Sequence, residues 1–468
     1  MTSIDYDVAI LGAGSAGAAA ASFLARSGRR VALLDSRPLR FGGARWVDDV
    51  PPWMFDRAGL PRPLPPVKRC DHRPLTLAAW RGNLRVSIGP RPIWGIDMPA
   101  FTQNLRDESV ARGVEPFEEI SLHRVLESRG RPVEIHFDGR TPGGDSRAHH
   151  LRARLFVDAS GMRQALLRRT SRLSPICPAL APSEMCSATQ QIREIVDRAG
   201  ALDFLERHRI GYGHVLSFMG ARGGFSSLMV QVEADGERVE ILAGATDAGP
   251  AGTGPLLLRE FLAQQPWIGR FVFGGAARIP IRRPYDRFAA EGIALLGDAA
   301  CQTFPAHGSG VGSGLVAARM LADAVQPFDD PGCPEAMWTY QATFQRERGG
   351  VHAAYDVLRR ASQRLDEPTV AALMEHGLVN ANNTWSTLNQ QIPALPPEEV
   401  ARMARGAASL RVRSVPLIAS ATRMPLIQRL YACYPLTPGA RTLHAWARAA
   451  AALCGHRPDA QRPEGLPA

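Results

Sequence analysis

Short apolar runs, each closed by a glycine or an acid, alternate along the first part of the chain with stretches of helical period. Asp5–Leu11 and Arg30–Leu34 contain almost unbroken apolar residues, the pattern of strands covered on both faces. Between them an alanine-rich stretch from Gly12 to about Arg26 has helical period. The same alternation returns at Ile293–Leu296, which runs through a glycine-dense turn into an Ala- and Leu-rich helix reaching Ala324.

The remaining pattern predicts strands at Leu84–Ile88 and Pro92–Ile96, a helix at Ala100–Ala111, and a hairpin from Val133–Phe137 to Leu151–Val157. From about Leu173 the composition shifts. A helix over Ile192–His208 is expected, then alternating strands at His214–Met219, Phe225–Glu233 and Arg238–Ala243. Asp235-Gly236 between the last two is a hairpin turn signal. A helix (Leu256–Gln264) and a strand (Ala277–Arg282) follow, and beyond Ala324 the chain reads helical: Glu335–Arg348, His352–Arg364, then pieces split by prolines. In Ala440–Leu453 one face carries Leu443, Trp446, Ala447, Ala450 and Leu453, a stripe that suits core contacts. The expected class is α/β (α+β overall): a Rossmann-type domain from residues 1–170 and 283–330, an inserted antiparallel-sheet substrate domain at 171–282, and a helical C-terminal region at 331–468.

Length of 468 residues allows this division, and no apolar run is long enough to span a bilayer. The acidic start lacks a signal-peptide pattern, so a cytoplasmic location is expected. Seven cysteines with no C-x-x-C spacing argue against a disulfide framework or a zinc site, and no metal is expected. The formal net charge of +10 is uneven: from Pro397 onward ten arginines face four acids. No nucleic-acid motif accompanies that charge, so an anionic substrate, an acidic partner or a solvated surface explains it better. Lys68 is the one lysine of the chain and sits in a proline-rich stretch that reads as a surface loop.

Gly12-Ala13-Gly14-Ser15-Ala16-Gly17 falls between the first strand and its helix, and Asp35 ends the second strand. The first glycine makes a tight turn, the second admits a pyrophosphate, and the third lets helix and strand pack closely. Asp35 is placed to accept the adenosine ribose hydroxyls, with Ser36 beside it. Strand, turn, helix, strand and acid together make dinucleotide binding a strong expectation.

Downstream, Gly297-Asp298 ends the strand, Pro305 follows, and glycines 308, 310, 312 and 314 open the helix. This G-D-A-A…P-x-x-G-x-G run resembles the flavin-contacting motif of the hydroxylase-type FAD superfamily: aromatic monooxygenases, geranylgeranyl reductases and flavin-dependent halogenases. The resemblance implies non-covalent FAD, with Asp298 on the ribityl chain and Pro305, Gly308, Ser309 and Gly310 along the ring. His307 stands there as the candidate for handling a proton. Residues 155–169, L-F-V-D-A-S-G-M-R-Q-A-L-L-R-R, resemble the superfamily's other signature, and Asp158 and Gly161 would support the pyrophosphate region. Arg45 would lie beside the flavin. Trp46 and Trp53 would line an aromatic pocket or serve as core. The superfamily often carries Arg or Gln just before the helix at Ala100; here Asp97-Met98-Pro99 depart from that, leaving Gln103 as the substitute.

D-x-S-G-M-R looks most like flavin-dependent tryptophan halogenases, yet the halogenase Pro-x-Glu-Ser-Thr-Gly is replaced by Pro305-Ala306-His307-Gly308-Ser309-Gly310. The R-I-P-I-R-R-P-Y segment before Gly297 resembles geranylgeranyl reductases. The implied reaction is hydroxylation of an electron-rich aromatic, an indole or phenol, through a flavin C4a-hydroperoxide. A relative that oxidises a protein-borne tryptophan during tryptophylquinone cofactor biogenesis fits the halogenase-like signature and the basic C-terminal region, where Arg402, Arg405, Arg411 and Arg413 would meet an acidic carrier. Prenyl double-bond reduction is the alternative, with halogenation or a partner-binding flavoprotein further behind. No second Rossmann fingerprint is visible, so NAD(P)H docking transiently or a separate flavin reductase supplies electrons.

Overall fold

The computed structural model describes residues 3–455 apart from 82, 91, 222, 249–251 and 411–413. Its first sheet is parallel at its centre. Glu115–Ser128, Val31–Leu34, Ser3–Leu11, Arg147–Asp158 and Ile293–Leu295 lie side by side in that order, with Ala289–Ala290 closing the edge. Arg131–Arg140 runs antiparallel to both Glu115–Ser128 and Arg147–Asp158, turning their outer ends into a meander. Val8–Leu11 and Val31–Leu34 are buried throughout, as unbroken apolar strands must be when helices cover both faces. Ser15–Arg26 packs against Met98–Ala111 and Val311–Val325. Small residues make the approach possible: a side chain at Gly314 would begin 3.1 Å from the Ala16 Cβ.

The long strand Glu115–Ser128 has no counterpart in the sequence reading. Charged residues sit on both its faces and its pairing with Arg131–Arg140 shifts register three times, so neither period shows.

The second sheet is ordered Ile268–Pro280, Met185–Ile195, Arg238–Thr246, Ser226–Val232, Val215–Met219, Leu75–Ala79, Arg85–Ile88. Two of its strands come from residues 75–88, so the chain visits this sheet twice and the sheet extends beyond the 171–282 segment. Ile192–His208 is not one helix. Met185–Ile195 is a central strand paired on both sides, and the helix begins at Arg198, capped by the Asp197 carboxylate on the N–H groups of Ala199 and Gly200. Here tertiary pairing overrides local helical period. The outer face is sealed by Phe204, Leu205, Leu257 and Phe261 from Arg198–His208 and Gly254–Leu262.

A third, small sheet of Val47–Val50, Pro92–Asp97 and Lys68–His72 is wedged between the two. Lys68 therefore opens a strand rather than sitting in a loop. The C-terminal helices dock through one aromatic cluster, in which Leu443, Trp446, Ala447 and Ala450 meet Tyr355, Ile427, Tyr431 and Tyr434. That stripe is core. Pro334–Phe344 continues through the π-helical turn Gln345–Gly349 into Gly350–Ser362, where Gly349 and Gly350 let Tyr431 and Gln428 of the facing helix come close. Arg402 and Arg405 are exposed on Pro397–Leu410; Arg411 and Arg413 lie outside the described residues. No helix among the described residues is long and apolar enough to cross a membrane, and the seven cysteines are free thiols.

Candidate functional site

Three loops converge at the C-terminal ends of the parallel strands, the position where open α/β sheets bind ligands. In the first, Gly12 adopts φ 110°, and an added Cβ would lie 2.2 Å from the Ala159 carbonyl oxygen. At Gly17 it would meet the Gly12 oxygen at 1.9 Å. Gly14 differs: its nearest neighbour would be the Gly43 Cα at 3.5 Å, so the space beside it is not filled by protein. Helix Ser15–Arg26 starts at Gly14 with no side-chain cap, leaving first-turn N–H groups, Ser15 among them, for an anion. Asp35 accepts from the Ala13 N–H at 2.9 Å and the Arg37 N–H at 2.9 Å, fixing its carboxylate against the glycine loop. Ser36 is exposed and accepts from Arg163, tying the first loop to the second.

Arg106, absent from the sequence reading, is the unexpected member. It is buried, and its Nη1 donates to the carbonyls of Ala13 and Gly42, both at 3.1 Å. Burial holds its pKa below the usual guanidinium value. Gln103, expected at the cofactor, instead bonds to Asp107 and accepts from Arg106 at 2.8 Å. It buttresses the arginine that shapes the cradle. Arg45 is exposed and stacks on Phe41, its guanidinium carbon 5.7 Å from the ring centre.

In the second loop the Asp158 carboxylate is consumed by its own turn. It accepts from Ser160 N and Oγ, Leu166 N and Leu167 N. Burial raises its pKa against those bonds. Its work is to set the loop whose Ala159 crosses Gly12; Gly161, at φ 64°, turns the chain there.

The third loop carries Gly297, whose φ of 66° lets it pass 3.3 Å from the Ala16 Cβ at the place a side chain would start. Asp298 accepts from Thr303 Oγ1 at 2.6 Å through one oxygen; burial raises its pKa, and the other oxygen is left for a hydroxyl donor. A Cβ at Gly310 would crowd both groups at 3.0 Å. Val311–Val325 begins at Gly310 without a side-chain cap, a second N-terminus open to negative charge. Pro305 is buried and Gly308 turns at φ 79° beneath Ile279 of the second sheet, 3.8 Å from where its side chain would begin. Two uncapped helix N-termini, the space beside Gly14 and the spare Asp298 oxygen fit an FAD pyrophosphate, ribityl chain and electron-poor ring.

His307 is held at both ends. Nδ1 accepts from the Ser309 N–H at 3.3 Å, and Nε2 donates to the Thr387 carbonyl at 3.2 Å. Part of the ring faces the open cleft, but protein surrounds the rest and burial lowers its pKa to about 4. A neutral imidazole with both nitrogens engaged positions the loop. Behind it Gln390, fully buried at φ 53°, accepts from Ser313, and its carbonyl accepts from Arg348.

The group that can handle a proton is Asp48, which the sequence reading passed over. Ser309 Oγ donates to its carboxylate at 3.0 Å, and burial raises its pKa to about 7, with neighbouring Asp49 pushing the same way. Trp46 is half-buried beside it on the main core; Trp53 donates to the Asn389 carbonyl at 3.1 Å and lies under Arg348.

The second sheet roofs this loop. Gln190 bonds to the Val47 N–H at 2.7 Å and the Val47 carbonyl at 2.9 Å, turning its face inward. The directly paired row Gln190, Leu242, Met229, Ser217, Leu77 crosses that face, and Ala188, Gly244, Ser227, Met219, Ala79 form the next. Its far end meets Met374 and Leu388 from the C-terminal helices. Small and flexible apolar side chains dominate, and no aromatic residue stands in either row.

Residues 10–59 match the family of NAD(P)-binding Rossmann-like domains. A digeranylgeranylglycerophospholipid reductase of Sulfolobus acidocaldarius is 22% identical over 472 aligned residues, covering 96% of this chain and 97% of the relative. Among solved structures, a geranylgeranyl bacteriochlorophyll reductase-like protein from Thermoplasma acidophilum superposes with TM-score 0.69 at 14% identity, covering 90% of this chain and 100% of that one. The myxobacterial chondrochloren halogenase superposes at 0.56 with 18% identity, covering 94% and 99%. With the three motifs, these likenesses fit the FAD-dependent superfamily of geranylgeranyl reductase-like proteins, flavin halogenases and FAD monooxygenases, and support an FAD-dependent oxidoreductase.

Proposed function

We propose that this FAD-dependent oxidoreductase saturates a carbon–carbon double bond in an extended apolar substrate, with Asp48 as the proton source. The observation that carries the reading is the inward face of the second sheet. Its rows of Leu242, Met229, Leu77 and Met219 run to a packed cluster with Met374 and Leu388, flexible apolar side chains suited to lining a hydrocarbon chain. Relatives named as reductases of a prenylated lipid support the same substrate class.

Reduced FAD, when bound, supplies a hydride. Saturation then needs a proton at the other carbon of the double bond. Asp48, protonated below about pH 7 and hydrogen-bonded to Ser309, holds one at the edge of the flavin loop. Ser309 orients the carboxyl, and His307 fixes the loop that carries Ser309. NAD(P)H or a separate flavin reductase returns the enzyme to its reduced state. Hydroxylation of an indole or phenol has less behind it, because Trp53 is tied to Asn389 and both His307 nitrogens are already engaged.

The test is anaerobic. Dithionite-reduced protein mixed with geranylgeraniol should reoxidise its flavin and yield an alcohol richer in hydrogen by pairs. If polyprenyl substrates leave the flavin reduced, while a phenol or indole is oxygenated in air, the reaction is hydroxylation.

A further inference from the structure

The outer face of the meander, on the same sheet as the dinucleotide loops but outside the site, carries a second cluster. His136 and His150 are directly paired across antiparallel strands, with their rings stacked at 3.9 Å and 1° apart. Glu134, two residues before His136, projects from the same face of its strand. Its Oε1 lies 2.7 Å from His136 Nε2 and 3.8 Å from His150 Nδ1. The second distance is too long for a hydrogen bond, so that nitrogen faces the carboxylate without joining it. Arg152, paired opposite Glu134, holds the other oxygen at 3.3 Å and fixes how the carboxylate points.

From this geometry we infer that Glu134, His136 and His150 form a binding site for a divalent transition-metal ion, zinc foremost. One ligand atom from each lies within 4.8 Å of the other two. A tetrahedral zinc ion with these donors sets its ligand atoms about 3.4 Å apart, so the Glu134–His136 pair must open from 2.7 Å and the two parallel imidazoles must turn toward a common point. The side chains can make these moves: they are 17% (Glu134), 26% (His136) and 31% (His150) exposed, while the strand register fixes their Cα atoms. His136 gives up its hydrogen bond to Glu134 and takes the other tautomer, presenting Nε2 to the metal. Two imidazoles and one carboxylate select an ion of borderline softness over calcium or magnesium. Water completes the coordination from the exposed side, and Arg152 acts as the outer partner that orients a ligating carboxylate. Bound metal would pin the strands Arg131–Arg140 and Arg147–Asp158 together, and the second of these leads into the Asp158 loop.

Untagged, FAD-loaded protein is stripped with a chelator and titrated calorimetrically with zinc. One equivalent should bind. Glu134→Gln, His136→Ala and His150→Ala should each weaken binding at least about tenfold with flavin content unchanged. Zinc should raise the melting temperature of the parent protein and not of the variants. Absence of stoichiometric binding overturns the proposal. So does binding that survives all three substitutions, which would place the metal elsewhere. Should His136→Ala lose flavin, His136→Gln keeps the size and the test.

Discussion

Ser309 donates its hydroxyl to Asp48 at 3.0 Å, joining the loop that opens the Val311–Val325 helix to a strand more than two hundred residues earlier in the chain. Burial makes this carboxyl hard to ionise, with a pKa raised to about 7, while the Ser309 bond favours the charged form and opposes the shift. A step that needs neutral Asp48 slows as pH rises through about 7. Asp48→Asn should lower turnover by about a hundredfold or more and remove that alkaline limb. Ser309→Ala removes the bond that favours ionisation, so it should move the limb to higher pH. Rates of anaerobic flavin reoxidation across pH check both.

Stability follows the same group. With the folded pKa raised above the unfolded value, the fold binds an extra proton between about pH 4 and about pH 7. The stability Asp48 contributes is present at the acid end and lost as pH rises through about 7. Asp48→Asn has no such loss. Its melting temperature should therefore gain on the parent protein from pH 5 to pH 8, as thermal scans at several pH values would register.

The fingerprint glycines should fail in different ways. Gly12→Ala places a Cβ 2.2 Å from the Ala159 carbonyl at a positive φ, so the protein should lose its fold. Gly14→Val meets only Gly43 in the protein and should fold with normal circular dichroism while losing FAD. Two folded proteins with equal flavin content would contradict this division.

Arg283 and Asp286 form a buried pair where the chain returns from the second sheet. Tyr431 accepts from Arg283 at 3.2 Å, and Tyr434 donates to the Asp286 carbonyl at 3.0 Å. Asp286→Ala takes one carboxylate away from a buried guanidinium, so it should lower the unfolding midpoint in denaturant titrations.

The dinucleotide loop was legible because strand, glycines, helix and acid follow one another within 24 residues, from Gly12 to Asp35. The Gly297–Gly314 turn was legible for the same reason. Contacts across long separations were not: Arg106 reaches Ala13 across 93 positions and Asp48 reaches Ser309 across 261. Nothing near Asp48 in the chain distinguishes it from a surface acid. His307 showed its place but not its partner, because Thr387 belongs to a helix that proline spacing left undefined. The strand Met185–Ile195 was hidden because its apolar positions carry a helical period too.

The most direct test of the account is the fate of a polyprenyl double bond in a single turnover. Reduced, FAD-loaded protein is mixed with geranylgeraniol in parallel under argon and under labelled oxygen, and the products are weighed by mass spectrometry. The account predicts saturated product under argon, carrying hydrogen and no oxygen, in an amount set by the reduced flavin present. Substrate unchanged under argon, with label incorporated into product only when oxygen is supplied, would contradict it.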